Sequence, residues 1–179
     1  MIVRTSSVVI SGTVAETGRV QAWVVGPGRG TDEAARAELA ELLARPEPLL
    51  IDADAITLLA QSPELRAALR TRPGDTLLTP HAGEFTRLAT AIGDLPAVSD
   101  DPLGAVQALA EQLQCGVLLK GRRTIIYLGG EITTIDAGSS WAATPGSGDV
   151  LAGLAGAWIA RLGLSGVQQA VSIHGIAAW

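Results

Sequence analysis

The chain has 179 residues, enough for one domain with a substantial core, and we expect a single domain over residues 1–179. Hydrophobic residues make up 47% and aromatic residues 3%, which predicts an aliphatic core. The net charge of −5 argues against the basic surface of a nucleic-acid-binding protein. No apolar run approaches the roughly 20 residues that span a bilayer, and the start, MIVRTSSVVISG, lacks the apolar core of a signal peptide. We therefore expect a cytoplasmic protein without membrane or nucleic-acid partners.

Short apolar runs alternate with amphipathic stretches along the chain. Strands are predicted at 22–25, 49–52, 76–79 and 116–120, followed by a hairpin of 124–128 and 131–135 across Gly129-Gly130. Helices are predicted at 32–44, 55–60, 83–92, 105–113, 147–162 and 165–178. This alternation predicts an α/β fold with a mainly parallel sheet covered on both faces. Ligands bind beyond the carboxyl ends of such strands, where five informative segments are expected to converge: 26–30, 52–54, 79–84, 120–124 and 146–149.

The segment TPGSGDVLAG, residues 144–153, carries the strongest functional signal. Gly146 and Gly148 flank Ser147 and lead into an apolar helical pattern, so open backbone N–H groups would face outward at the positive end of the helix dipole. That arrangement suits an anion such as phosphate. Because Asp149 would repel the anion, we interpret it as a base that faces a hydroxyl near a phosphate. The alternative is an acidic residue that only complements the helix dipole.

Two strand ends admit more than one interpretation. GPGRG at 26–30 is one residue short of the GxGxxG fingerprint of dinucleotide-binding folds; the alternative is a tight turn that needs glycine. Asp52 and Asp54 follow a buried strand. The two carboxylates are expected to point to opposite sides, so that one faces the cleft and the other caps the next helix. A Mg²⁺ contact through these carboxylates is the other possibility.

Rare residue types give further candidates. Lys120 is the only lysine beside twelve arginines, and its KGRRT turn suits nucleotide phosphates or is a solvated basic turn. His81, in TPHAGE, is either a ligand contact or structural, and Glu84 could cap the following helix or bind a ligand. His174 is expected to be a satisfied core residue. The lone Cys115 excludes an internal disulfide and a cysteine metal cluster, and is expected to be a buried structural thiol.

Together these segments resemble the ADP/ATP-dependent NAD(P)H-hydrate dehydratases, a branch of the ribokinase-like superfamily. The matching segments, in the family's order, are VVGPGRG, LLIDADAITLL, TLLTPHAGEFTRL, GVLLKGRRTIIYLGG and ATPGSGDVLAGLAGAWIA. The resemblance covers nearly the whole chain from about Ala22, and the combination of DADA, TPHxGE and GSGDVLAG is specific. It implies a ribokinase-like three-layer α/β/α sandwich with a mainly parallel central sheet.

The resemblance also implies a reaction in metabolite repair, with Mg²⁺ as cofactor. A phosphoryl group of ADP or ATP would pass to the hydroxyl of hydrated NADH or NADPH, and phosphate would then leave. Asp149 would contact the substrate and deprotonate that hydroxyl, while Gly146, Ser147 and Gly148 would stabilise the transferring phosphoryl. The remaining contacts would be Gly28 and His81 to the hydrated dinucleotide, and Gly148, Lys120, Gly121, Arg122, Arg123 and Thr124 to the nucleotide.

The chain also departs from the family pattern. It lacks roughly the first third of the family's domain, including an early Gly-Ala-Gly strand, and it stops soon after His174-Gly175. Ala82 stands where proline is common, Pro145 stands where a small residue is usual, and Thr57 stands where asparagine is frequent. We therefore expect an N-terminally truncated domain with an exposed sheet edge. Such an edge tends to pair with another chain, so a homo-oligomer is expected.

Two other functions remain open. A kinase of the same superfamily, acting on a vitamin-precursor alcohol, would carry the same anion hole, although DADA together with TPHAGE favours the dehydratase. A non-catalytic nucleotide-binding fragment is the third hypothesis, motivated by the missing N-terminal part. The sequence favours neither ADP nor ATP as donor.

Overall fold

The computed structural model describes residues 13–136 and 144–177, which contain six strands and seven α-helices. The strands are β1 (Trp23–Val25), β2 (Leu49–Ile51), β3 (Thr76–Leu78), β4 (Gly116–Leu119), β5 (Thr124–Leu128) and β6 (Glu131–Ile135). The α-helices are α1 (Glu33–Leu43), α2 (Ala53–Gln61), α3 (Pro63–Thr71), α4 (Ala82–Ile92), α5 (Pro102–Leu113), α6 (Ser147–Leu162) and α7 (Val167–Ala177). A short 3-10 helix, Gly163–Gly166, joins the last two.

All six strands form one sheet in sequence order, from β1 at one edge to β6 at the other. The first four are parallel, with Val25 opposite Ile51 and Ile51 opposite Leu78. Strands β5 and β6 are antiparallel, and their turn is the predicted Gly129-Gly130 pair, with φ of 58° and 90°. Positive φ at both turn residues fits the right-handed twist of a hairpin. The prediction of a mainly parallel sheet is confirmed.

The two faces of the sheet carry separate aliphatic cores, because successive strand residues point to opposite sides. Leu50, Leu77 and Leu118 belong to a cluster with α6 and α7. Their neighbours along the strands, such as Ile51 and Leu78, belong to a larger cluster with α1 to α5. The result is a three-layer α/β/α sandwich, with helices on both faces as predicted.

Helix α3 was not predicted from the sequence, although its start carries a clear signal. Ser62 ends α2, and its side chain accepts a hydrogen bond from the Leu65 N–H, while Pro63 opens the helix. Serine at the cap followed by proline at the first helical position is a common way to begin a helix. The final predicted helix, 165–178, is also divided, because the 3-10 helix occupies its start.

Some sequence predictions fall outside the described residues. They are the end of the last helix at residue 178 and the expectations for the N-terminal twelve residues. The expectation of no membrane-length apolar run does not fully hold, since Ser147–Ala177 has the length and composition of a span, with mean hydropathy 1.5. However, it consists of helices of 16 and 11 residues that pack against each other. Each is shorter than the roughly 20 residues that cross a bilayer.

Candidate active site

The carboxyl ends of β1 to β4 lie side by side, and the segments that follow them contact one another. The Gly30 N–H, after β1, donates to Asp54 Oδ2 at 2.8 Å. The Lys120 N–H, after β4, donates to the Pro80 carbonyl after β3, also at 2.8 Å. The Lys120 side chain reaches further, to Asp52 after β2. The predicted convergence of these segments at one edge of the sheet is therefore observed.

The glycine turn after β1 is shaped by close packing on β2. Gly26 has φ of 122°, and a Cβ there would lie 1.8 Å from the Asp52 carbonyl oxygen, so only glycine fits. Gly28, with φ of 64°, has open space around it and is exposed. Gly26 therefore has the structural role that the tight-turn interpretation assigned to this segment, while Gly28 stays accessible to a ligand.

Asp52 combines two roles that the sequence had divided between two residues. Its carboxylate is 1% exposed, and Oδ1 accepts from Lys120 Nζ at 2.6 Å and from the Ala53 N–H at 2.9 Å. The expectation that Asp52 and Asp54 face opposite sides was wrong, because the strand ends at Ile51 and Asp54 lies in the first turn of α2. Asp52 both caps α2 and faces Lys120 in the cleft, while Asp54 accepts from the Gly30 N–H after β1.

The segment after β3 forms a capping box at the start of α4. His81 Nδ1 accepts from the Gly83 N–H at 2.9 Å, and Glu84 Oε2 accepts from the His81 N–H at 2.8 Å. The predicted capping role of Glu84 is thus confirmed. The His81 side chain is nevertheless 58% exposed, so its outer edge can meet a ligand while its inner nitrogen holds the helix.

Lys120 lies between two carboxylates. Its Nζ is 2.6 Å from Asp52 Oδ1 and 3.9 Å from Glu84 Oε2, and its side chain is 18% exposed. The same Nζ is 3.5 Å from the position that a Cβ on Gly148 would occupy, which places the ammonium beside the start of α6. The lone lysine thus belongs to an ion-pair network next to the GSGD motif.

The other residues of the KGRRT turn do not share the inward position of Lys120. Gly121, Arg122 and Arg123 are exposed, whereas Thr124 is 9% exposed and begins β5. The turn is therefore not one uniform basic patch. Lys120 faces inward, the two arginines face solvent, and the threonine joins the sheet.

Helix α6 begins with the predicted glycine turn. Gly146 is left-handed, with φ of 87°, and no side chain among the described residues caps the first turn. The Ser147 N–H donates to the Thr144 carbonyl at 3.1 Å, and the Val150 N–H donates to the Gly146 carbonyl at 3.1 Å. Asp149 is exposed within this first turn. Its role as a base remains a prediction.

His174 was expected to be a satisfied core residue, and that expectation was half right. It is half-buried and hydrogen-bonded, but its partners lie in α6, where Nε2 is 3.1 Å from Ser147 Oγ and 3.0 Å from the Ser147 carbonyl oxygen. The two residues are 27 positions apart, so no local sequence pattern joins them. This contact adds His174 to the candidate site.

Cys115 agrees with its predicted structural role. It packs against the larger core cluster, and burial raises the pKa of its thiol to about 12. A thiol with so high a pKa stays protonated near neutral pH and is a poor nucleophile. Cys115 therefore plays no part in the candidate chemistry.

The chain is similar to known proteins over most of its length. The family model described as NAD(P)H-hydrate dehydratase matches residues 3–178. The bifunctional NAD(P)H-hydrate repair enzyme Nnr of Corynebacterium glutamicum is 55% identical over 158 residues, which cover 86% of this chain and 28% of that protein. The chain thus spans less than a third of the length of this curated relative.

Two solved structures share the fold. The ADP/ATP-dependent NAD(P)H-hydrate dehydratase of Bacillus subtilis, co-crystallised with ATP and Mg²⁺, has a TM-score of 0.74 at 28% identity and is matched over 87% of this chain and 53% of its own. A ribokinase-like superfamily protein of Enterococcus faecalis has a TM-score of 0.74 at 31% identity, over 87% of this chain and 54% of its own. With the family model matching almost end to end, the chain belongs to the NAD(P)H-hydrate dehydratase family and has a ribokinase-like fold.

Proposed function

We propose that the protein restores NADH and NADPH from their hydrated forms in a nucleotide-dependent dehydration. The observation that carries this proposal is the position of the Lys120 ammonium beside Gly148, at the open start of α6. An ammonium and a helix N-terminus at one point form a site for a transferring phosphoryl group. Family membership supports the hydrated dinucleotide as the acceptor.

The proposed reaction has two parts. Asp149 takes the proton of the substrate hydroxyl, whose oxygen then forms a bond to the terminal phosphorus of ADP or ATP, releasing AMP or ADP. The phosphate ester so formed loses inorganic phosphate as the carbon–oxygen bond breaks, and loss of a proton from the neighbouring atom restores the double bond of the dihydronicotinamide. Phosphorylation turns a poor leaving group, hydroxide, into a good one.

Each part of the site has a proposed task. The backbone of Gly146, Ser147 and Gly148 stabilises charge on the transferring phosphoryl, and Lys120 adds a positive charge beside it. Asp52 and Glu84 hold the Lys120 ammonium in place through the contacts of 2.6 and 3.9 Å. The hydrated dinucleotide would contact Gly28 and His81, which are both accessible at this edge.

The nucleotide would lie over the turn that follows β4. Arg122 and Arg123 are exposed there and can meet phosphate oxygens, with Gly121 allowing close approach and Thr124 adjoining at the start of β5. Gly148 would contact the same nucleotide from α6. These assignments form one surface, because Lys120 links the turn to α6.

Magnesium is the implied cofactor. In the part of the chain that the structure describes, no three His, Cys, Asp or Glu side chains are grouped as a metal cage. Mg²⁺ commonly binds through one or two carboxylates together with nucleotide phosphates. Asp52 fits this pattern, since its Oδ2 is buried and unpaired within the described residues, and Glu84 offers a second carboxylate. Mg²⁺ would supply charge neutralisation on the phosphates.

The proposal also covers the location of the protein and its partners. We propose a cytoplasmic protein that acts on a small molecule, without nucleic-acid or membrane partners, consistent with the net charge of −5. Among the described residues, strand β1 forms one edge of the sheet, and an open strand edge supports association between copies of the chain. Sedimentation of the purified protein tests this association; a monomer at all concentrations would contradict it.

The activity is tested by absorbance at 340 nm on chemically prepared NADH hydrate and NADPH hydrate, with Mg²⁺ and either ADP, ATP or no nucleotide. The proposal predicts a rise that requires nucleotide, and the donor that gives it identifies the phosphoryl source. A stable phosphorylated product without the rise would indicate a kinase. Nucleotide binding with neither result would indicate a non-catalytic domain.

A further inference from the structure

The histidine of α7 contacts the first residue of α6. His174 Nε2 lies 3.0 Å from the Ser147 carbonyl oxygen and 3.1 Å from Ser147 Oγ. A carbonyl oxygen can only accept a hydrogen bond, so the contact of 3.0 Å requires Nε2 to carry the proton. The imidazole N–H therefore donates to the backbone of Ser147, with the hydroxyl oxygen as a second acceptor.

This contact fixes a peptide group and not only a side chain. The Ser147 carbonyl and the Gly148 N–H belong to the same planar peptide unit and point in opposite directions. When His174 holds the carbonyl, it also sets the direction of the Gly148 N–H, which points toward the open end of α6. Gly148 is the residue that lies beside the Lys120 ammonium.

The start of α6 needs such support. Its cap residue, Gly146, has no side chain, and its φ of 87° lies in the left-handed region that glycine adopts without steric cost. Helices α1 to α5 each have a side chain that accepts a hydrogen bond from their first turn. In α6 the restraint comes instead from a residue of the neighbouring helix.

We propose that His174 is a positioning residue, which orients the Ser147–Gly148 peptide so that its N–H meets the transferring phosphoryl group. This inference rests on the proposed function, because it names a supporting residue of the same site. His174 does not touch the reacting atoms, and it acts through the backbone of Ser147. A donor that is fixed before the reaction stabilises the transition state more than a donor that must reorient.

The kinetic test compares His174→Ala with His174→Gln. The glutamine amide can place an N–H near the same carbonyl, so it should restore the function that alanine removes. We expect alanine to lower kcat at least about tenfold, since loss of one whole donor of this kind lowers kcat by about 10²–10³. The KM for the nucleotide should change less than about threefold, because the contact acts mainly in the transition state. Ser172→Ala, which removes an α7 hydroxyl bonded within its own helix, serves as the control and should keep the wild-type kcat.

Two kinetic results would overturn the proposal. One is a folded His174→Ala protein with kcat within about twofold of the wild type, a change of less than about 0.5 kcal/mol in the barrier. The other is a glutamine variant as slow as the alanine variant while circular dichroism and thermal unfolding show both to be folded. The second result would mean that the imidazole is needed for a reason other than donation to Ser147.

A second readout does not depend on turnover. In a ¹H–¹⁵N spectrum of the wild-type protein with Mg²⁺, ADP should shift the Gly148 amide resonance, and His174→Ala should reduce that shift while His174→Gln retains it. If this pattern holds in a protein without dehydratase activity, the proposed function fails and the positioning role stands. An equal response of Gly148 in all three proteins would overturn the positioning role, whatever the activity.

Discussion

The helix starts on the two faces of the sheet are built differently. On one face, α1 to α5 begin at Asp32, Asp52, Ser62, His81 and Asp101, and each of these side chains accepts a hydrogen bond from the first turn of its helix. On the other face, α6 begins at Gly146, where no side chain of residues 13–136 or 144–177 caps the helix. A capped start satisfies its own backbone donors, whereas an uncapped start leaves them for a ligand.

The difference matters most at the edge of the sheet where the candidate site lies. Helices α2 and α4 also begin there, but their first turns are occupied by the carboxylate of Asp52 and the imidazole of His81. Asp52 in addition pairs with Lys120. Within the described residues, α6 is therefore the helix start at this edge that can receive a phosphoryl group, and Lys120 lies beside it. Substitutions at both kinds of helix start test whether the capped starts stabilise the fold and the uncapped start serves catalysis.

The largest effect is expected for Asp149→Asn. If Asp149 is the base, kcat should fall by about 10³, within the range of general-base contributions. Nucleotide binding should stay close to that of the wild type, because the base faces the acceptor hydroxyl and not the nucleotide. The assay at 340 nm gives kcat, and calorimetric titration with ADP gives the affinity. Unchanged turnover would show that Asp149 only complements the helix dipole.

The next largest effect is expected for Lys120→Met, which breaks the ion pair between Lys120 and Asp52, the cap residue of α2. Lys120→Met leaves the buried carboxylate of Asp52 without its partner, so the free energy of unfolding should fall by about 3 kcal/mol. The affinity for ADP should fall as well. Urea unfolding measures the first change, and calorimetry measures the second.

The matched control for that experiment is the double variant Lys120→Met/Asp52→Asn. Removing both charges should recover much of the lost stability, because no uncompensated charge remains in the interior. The ADP affinity should stay low in the double variant. If the double variant does not recover stability, the loss in Lys120→Met has a cause other than the unpaired charge of Asp52. If the ADP affinity is unchanged in both variants, Lys120 does not bind nucleotide.

Gly146→Ala and Gly163→Ala form a pair that separates stability from catalysis. Both glycines have left-handed φ, 87° and 68°, and a Cβ on either would meet open space. Gly146→Ala should lower the free energy of unfolding by about 1–2 kcal/mol, the usual penalty for alanine in the left-handed region. Gly163→Ala should lower it by at least as much, because its ψ of −164° lies in a region that essentially only glycine adopts. Only Gly146→Ala should also lower kcat, because Gly163 lies at the opposite end of α6. Equal kcat values for the two variants would contradict a catalytic role of the uncapped start.

Among the capped helices, Asp101→Ala should have a small effect that is confined to stability. Asp101 Oδ1 accepts from the Gly104 N–H at 2.9 Å, and loss of such a cap lowers the free energy of unfolding by about 1 kcal/mol. The turnover of the folded protein should not change. Thermal unfolding and the 340 nm assay together check both statements, and a loss of activity would show that the capped face also contributes to the site.

The smallest effect is expected at Cys115. Burial raises its pKa to about 12, whereas in the unfolded chain the thiol ionises near its ordinary value of about 8.5. Between these two pH values the folded state binds the additional proton, so this group contributes stability that is lost as pH rises from about 9 toward 12. At pH 8 the partly buried native thiol should react with a disulfide reagent much more slowly than the thiol of the unfolded chain. Rapid labelling of the native protein would contradict its burial.

The features that sequence predicted well are those with local causes. The bounds of α6 and the β5–β6 hairpin follow from apolar periodicity next to glycine turns, and both are found at the predicted residues. The carboxyl ends of β1 to β4 meet at one edge of the sheet because these strands are parallel. The start of helix α3 has an equally local signal in Ser62 and Pro63.

The features that sequence did not predict are contacts between distant side chains. Lys120 and Asp52 are 68 positions apart, and His174 and Ser147 are 27 apart, so neither pair leaves a periodic pattern. The sequence predicts that Asp52 and Asp54 divide the cleft and capping roles, because they are expected to point to opposite sides, whereas Asp52 serves both. Its Oδ1 accepts from both Lys120 Nζ and the Ala53 N–H, and the end of the strand one residue earlier than expected makes this combination possible.

The uncapped start of α6 and the Lys120 turn should bind the nucleotide together. Amide hydrogen exchange with and without ADP and Mg²⁺ measures this binding, since ligand contact slows exchange at the amides that it covers. We predict slower exchange in residues 116–124 and 144–152 and unchanged exchange at the capped start of α5. Protection at the capped helices alone, or no protection at residues 144–152 at saturating ADP, would show that the nucleotide binds elsewhere.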